Sequence, residues 1–147
     1  EGCKSHGIPL QTGGTDNHLM LCDVTVYGLT GKQAEAALFQ CGVTANANAL
    51  PYDKMGAWWT SGIRVGTPAL TTLGMGKDEM AEVADIIDFV LKGTKPGLTK
   101  EGKPAKGKID LDPEVQKAAK ERVTKLLKAH VLYPELDLDF LKKAFVK

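Results

Sequence analysis

The stretch that most restricts the fold is Thr60-Ser61-Gly62-Ile63-Arg64-Val65-Gly66-Thr67-Pro68. Its period is two, so an extended chain turns Ile63 and Val65 to one face and Gly62, Arg64 and Gly66 to the other. Extended character is predicted over 62–70, ending at Pro68, which cannot donate to a ladder. A second period-two stretch, V-T-A-N-A-N-A-L at 43–50, sets Val43, Ala45, Ala47 and Ala49 against Thr44, Asn46 and Asn48. His18 to Val26, rich in Leu, Val and Thr, predicts a third strand. Each strand has one apolar face and therefore needs a cover.

Three helical stripes supply it. Thr30-Gly31-Lys32-Gln33 has the form of a capping box, and Ala34, Ala37, Leu38 and Cys41 follow at core-facing spacing. Gly42 suits the position after a helix that needs positive φ. A second helix follows Gly76, with Asp78 and Glu79 near its positive end and Met80, Val83, Ala84, Ile87 and Leu91 as its stripe; Gly93 ends it. Asp112-Pro113 starts a third as N-cap and first-turn proline, ending near Tyr133-Pro134. A short terminal helix is predicted over 139–146. The order strand, helix, strand, strand, helix, helix predicts an α+β layer, a small, mostly antiparallel three-stranded sheet covered by helices. One domain is expected: a lead-in loop at 1–17, a sheet-and-helix core at 18–92, a Lys/Gly-rich insertion at 93–111 read as a solvated loop, and terminal helices at 112–147.

Charge and cysteine content narrow the function. The formal net charge is +1, with 19 basic and 18 acidic residues, so no strong field recruits nucleic acid or an acidic membrane. Lys95, Lys100, Lys103, Lys106 and Lys108 lie among glycines and prolines without aromatics, the pattern of a solvated face. Cys3, Cys22 and Cys41 are widely spaced, with no C-x-x-C pair and no metal-ligand interval, which predicts a reducing, cytoplasmic setting and no metal site. No apolar run is long enough to span a bilayer. Gly74-Met75-Gly76-Lys77-Asp78 fails the phosphate-loop patterns, because Lys77 is followed by Asp. Asp16 and His18, two apart on one face, read as a turn brace rather than an acid–base pair.

Arg64 is the strongest candidate for a ligand contact. Glycines on either side along its face leave the guanidinium open to a planar anion through two parallel hydrogen bonds. Spacing alone equally allows an arginine that caps a sheet edge or pairs with a surface acid. Asn48 alone reads as a turn or edge-strand residue, and Trp58-Trp59 as packing.

Four blocks shift that balance. G-G-T-D-N-H-L at 13–19, G-L-T-G-K-Q-A-E-A-A-L at 28–38, G-V-T-A-N-A-N-A-L-P-Y-D at 42–53 and T-S-G-I-R-V-G-T-P-A-L-T-T at 60–72 stand in one order and spacing. Together they resemble the C-terminal small domain of serine hydroxymethyltransferases, over roughly residues 12–91. The resemblance implies the C-terminal domain of an aspartate-aminotransferase-type pyridoxal-phosphate enzyme. That enzyme interconverts serine and glycine while exchanging a one-carbon unit with tetrahydrofolate. It implies a cofactor-binding large domain outside this sequence, bearing the Schiff-base lysine, so no catalytic residue is assigned here and the chain alone is expected to be inactive. It implies homodimers or homotetramers for the full enzyme. Residue by residue, Arg64 matches the arginine that binds the substrate α-carboxylate and Asn48 an asparagine that bonds the pterin. Gly56, Ala57 and Trp58 match the loop lining the folate site. This sequence departs from the family where Ser-Pro-Phe is frequent at 56–58 and where lysine is common at Ala47. Two other classes stay open on the residues alone: a free-standing small-ligand or regulatory module, and an interaction domain that docks through its tryptophans and terminal helices.

Overall fold

The computed structural model describes residues 1–145. The elements in chain order are α1 (Gly2–Ser5), β1 (Leu19–Asp23), a 3-10 turn (Thr25–Tyr27), α2 (Gly31–Gln40), β2 (Asn46–Asn48), α3 (Gly56–Trp59) and β3 (Gly62–Gly66). They continue as α4 (Pro68–Thr72), α5 (Lys77–Lys92), β4 (Thr94–Leu98), β5 (Pro104–Leu111), α6 (Pro113–Ala129) and α7 (Leu138–Phe145). The architecture is α+β, with a three-stranded antiparallel sheet in the order β1-β3-β2. β3 is central, so the Ile63 and Val65 stripe lies in the middle of the sheet. Ile63 is fully buried opposite Cys22 of β1, in one core cluster with Ala34, Ala37 and Leu38 of α2 and Val90 and Leu91 of α5.

The capping box forms as the sequence dictates: Gln33 N–H donates to Thr30 Oγ1 at 3.2 Å, and Thr30 N–H to Gln33 Oε1 at 2.9 Å. Asp112 caps α6 by accepting from Glu114 N–H at 2.8 Å. Gly42 has φ +83°, as expected beyond a helix end.

Several boundaries differ from the sequence reading. Residues 1–17 are not all loop: α1 packs against α5, and Leu10 bridges Cys22 at the sheet edge. The first strand stops at Asp23, because its carboxylate accepts both Thr25 N–H and Thr25 Oγ1–H and curls the chain into the 3-10 turn. Extended character after Gly62 ends at Gly66, and Pro68 opens α4 instead of closing a strand. The turn before β1 is braced by Thr15 and Asn17, not by Asp16 and His18. Thr15 Oγ1–H donates to Leu19 O at 2.7 Å, and Asn17 Oδ1 accepts Leu19 N–H at 2.9 Å. α6 ends at Ala129, and the expected terminal helix is α7, with Val146 outside the described residues.

The largest correction concerns 93–111. It is not a loop but a two-stranded antiparallel hairpin, β4–β5, docked on α2. The dock reuses the capping box. Gln33 Nε2–H donates to Ala105 O at 2.7 Å and Lys108 O at 2.8 Å, while Thr30 Oγ1–H donates to Lys106 O at 2.8 Å. Thr30 and Gln33 are buried beneath it. Lysines, glycines and prolines hid the strands because the hairpin is held by these long-range bonds and by partly buried Ile109 and Leu111, not by a strong local pattern. Its five lysines are exposed, as a solvated face requires.

Candidate functional site

Register decides which side chains share the open face of the sheet. Arg64 stands opposite Leu21 of β1 and Asn46 of β2, and Gly62 stands opposite Asp23 and Asn48. Directly paired residues point to the same side. Arg64, Asn46 and Asn48 therefore lie on one face, away from buried Cys22 and Ile63. Arg64 is exposed, and its guanidinium forms no hydrogen bond or ion pair with the described residues; the arginine engaged in ion pairs is Arg122, with Glu82 and Asp85. Among the described residues, then, no acid is paired with Arg64.

The reason for the glycines beside Arg64 differs from the one spacing suggested. A Cβ on Gly62 would come within 2.5 Å of Leu50 Cδ2 and 2.9 Å of the Cys22 carbonyl oxygen. Gly62 is small because the chain is crowded there. A Cβ on Gly66 would meet His18 O at 3.1 Å. Close packing of the central strand, more than free space for a ligand, explains both glycines.

The 50–61 loop joins the end of β2 to the start of β3 and carries Gly56, Ala57 and Trp58. Gly56 has φ +75°, a conformation that favours glycine. Trp58 is 75% exposed, whereas Trp59 lies against the hairpin, where a Cβ on Gly107 would meet its ring at 2.7 Å. The pair thus divides: Trp59 packs, and Trp58 is available. Asn48 Nδ2–H donates to Ala49 O at 2.7 Å, leaving Oδ1 and one N–H uncommitted among the described residues.

Sequence reasoning missed the residue that holds this loop. Asp53 Oδ2 accepts Leu50 N–H at 3.0 Å and Ser61 N–H at 2.7 Å, and Oδ1 accepts Met55 N–H at 2.7 Å and Ser61 Oγ–H at 2.6 Å. One carboxylate thereby ties both ends of the loop together. Partial burial works against its charge, but the Ser61 hydroxyl and the three N–H groups outweigh that and bring its pKa from 3.8 down to about 2. The signal was present in Pro51-Tyr52-Asp53, a turn with an Asp able to bond the backbone two residues on. Because the folded-state value is depressed, the stabilisation is full above about pH 4 and is lost as pH falls toward 2. Asp53→Asn is expected to cost about 2 kcal/mol near neutral pH, because an amide cannot accept all four bonds. Matched thermal melts at pH 7 and pH 2.5 check this: the gap between variant and parent must shrink at the lower pH.

Fold and face together define an α+β architecture that presents an arginine, without a partner among the described residues, and two amides on the open face of a sheet. The serine hydroxymethyltransferase family model matches residues 1–87. A serine hydroxymethyltransferase of Treponema pallidum is 50% identical over all 147 residues, which cover 26% of that protein. Those of Salinispora tropica and Chlamydia pneumoniae are 51% and 52% identical over 94% and 93% of this chain, covering 29% and 28% of theirs. The chain belongs to the serine hydroxymethyltransferase family. It spans between a quarter and a third of the length of these curated relatives.

Proposed function

We propose that the chain is the C-terminal small domain of a serine hydroxymethyltransferase and provides the amino-acid carboxylate site and part of the folate site. The observation that carries this is the exposed Arg64, unpaired among the described residues and opposite Asn46 on the open face of a chain half identical to such enzymes. The reaction is the reversible conversion of serine and tetrahydrofolate to glycine, 5,10-methylenetetrahydrofolate and water.

The cofactor of this reaction, pyridoxal phosphate, fits the domain only as a neighbour. Leu19, Leu21, Asp23, Asn46, Asn48, Gly62, Arg64 and Gly66 make up the open face, with no lysine, and every lysine among the described residues is solvent-exposed. When bound by the rest of the enzyme, the cofactor supplies an electron sink for bond changes at the amino acid's Cα. Arg64 takes the substrate carboxylate in a charge-assisted fork and so orients the bond to be broken. Asn48 offers donor and acceptor to a pterin edge, and Trp58 presents an aromatic wall. Asp53 holds the loop bearing Gly56, Ala57 and Trp58 in register with β3.

Partners follow from the same reading: the remainder of the enzyme, and a second subunit or more in a dimer or tetramer. Exposed Val131, Leu132, Tyr133 and Phe140 suit such packing. No helix among the described residues is long and apolar enough to cross a membrane. Three free, buried thiols suit a reducing cytoplasm.

Titration of the isolated 147-residue chain with pyridoxal phosphate tests the division of labour. No saturable absorbance band is expected, and borohydride reduction is expected to leave no adduct concentrated on one lysine. A saturable band with a single modified lysine contradicts the assignment.

A further inference from the structure

The ladder carries one more assignment, which rests on the reading of Arg64 as the carboxylate-binding residue. Asn46 lies directly across β2–β3 from Arg64, and Leu21 lies directly across on the β1 side. Paired residues of an antiparallel ladder hold their Cβ atoms about 4.5–5.5 Å apart on one face. At its base the Arg64 side chain therefore has an apolar neighbour on one strand and an amide neighbour on the other.

The two asparagines of β2 are not equivalent. Asn48 has already committed an N–H to Ala49 O, whereas the exposed Asn46 amide forms no hydrogen bond with the described residues. β2 is only three residues long, and an edge strand that short would slip without a second hold. Glu35 of α2 provides it: its Oε1 accepts Ala47 N–H at 3.0 Å, while Lys32 Nζ–H donates to its Oε2 at 3.0 Å. The backbone next to Asn46 is thus pinned to α2, and position 46 is held across the ladder from Arg64 before any ligand arrives.

A carboxylate has about four lone-pair sites, and an arginine fork fills two. Once water is excluded the others need donors, and Leu21 has none. A second cation at that position would repel Arg64; a neutral amide donates without that penalty. We propose that Asn46 is a second binding residue for the amino-acid carboxylate, with its Nδ2–H donating to the carboxylate oxygen nearer β2 while Arg64 grips the same group.

The test compares glycine with glycinamide, which lacks the carboxylate, as ligands of the full-length holoenzyme carrying Asn46→Ala, Asn46→Asp or Arg64→Ala. Asn46→Ala is expected to weaken glycine about tenfold. It is expected to leave glycinamide affinity and thermal stability near the parent values. Asn46→Asp is expected to be worse than alanine for glycine, because its charge competes for Arg64 and repels the ligand. A purely structural role would weaken both ligands alike. If Arg64→Ala abolishes the preference for glycine while Asn46→Ala leaves it intact, the assignment of Asn46 falls and that of Arg64 stands. If Arg64→Ala also leaves the preference intact, both fall.

Discussion

In the full-length enzyme, Arg64→Ala is expected to raise the serine KM and the glycine Kd by about 30- to 5,000-fold. That range corresponds to the ~2–5 kcal/mol lost when one partner of a desolvated, hydrogen-bonded charge pair is removed. Folding should hardly notice the change. Arg64 is exposed and bonds no other described residue, so stability is expected to stay within about 0.5 kcal/mol of the parent. The loss is then one of binding, and the thermal melt separates it from misfolding. Arg64→Lys is expected to recover little, because an ammonium on a flexible stem cannot reproduce two parallel bonds to a planar anion. Steady-state kinetics with serine and equilibrium titration with glycine are the measurements. Parent-like constants in either variant would remove Arg64 from the site.

Gly31→Ala is expected to be the most damaging small substitution for the fold. Gly31 is the first residue of α2, and its N–H donates to Thr60 O at 2.8 Å. A Cβ there would fall on Thr60 Oγ1 and on the carbonyl oxygen of Gly62. The first could rotate aside; the second is backbone of the central strand and has nowhere to go. Thr60 is itself held at φ +55°, an uncommon conformation for a β-branched residue, so the chain has little slack at this point. Overpacking against fixed backbone costs about 3 kcal/mol or more, equivalent to a fall in Tm of roughly 6–12 °C for a chain of this size. Gly14→Ala is the control, since a Cβ there meets nothing within 4 Å, and a change within about 0.5 kcal/mol is expected. Adding Thr60→Ala to Gly31→Ala should not restore stability, because the Gly62 carbonyl remains. Calorimetric melts of the three variants decide it; a Gly31→Ala melt equal to that of Gly14→Ala would show that the helix can back away from the strand. The same contact seats β3 against α2, so the substitution should also disturb the position of Arg64.

Local chemistry was legible wherever a residue's role depends on neighbours a few positions away. The Thr30–Gln33 box, the Asp112-Pro113 start of α6 and the two-faced character of β3 rest on spacing and are present, as is most of the α5 stripe, where Ala84, Ile87 and Leu91 are buried, Met80 and Val83 half-buried, and Ile86 and Val90 buried in addition. The four ordered blocks were likewise enough to name the family that the comparisons show. What spacing could not supply was anything set by bonds across long stretches of chain. Strand order, the pairing of Asn46 with Arg64, the grip of Gln33 on residues more than seventy positions away and the shaping of Gly62 by Leu50 and Cys22 exist only once the chain is folded. The hairpin at 94–111 shows why: a Lys/Gly/Pro composition has weak strand propensity, and the backbone carbonyl acceptors that recruit it to α2 leave no trace in side-chain periodicity. By itself, then, the sequence determined the elements and the residue types that face a ligand. Tertiary structure alone decided which of them meet on one face, because β-sheet neighbours are chosen by hydrogen bonding between segments distant along the chain.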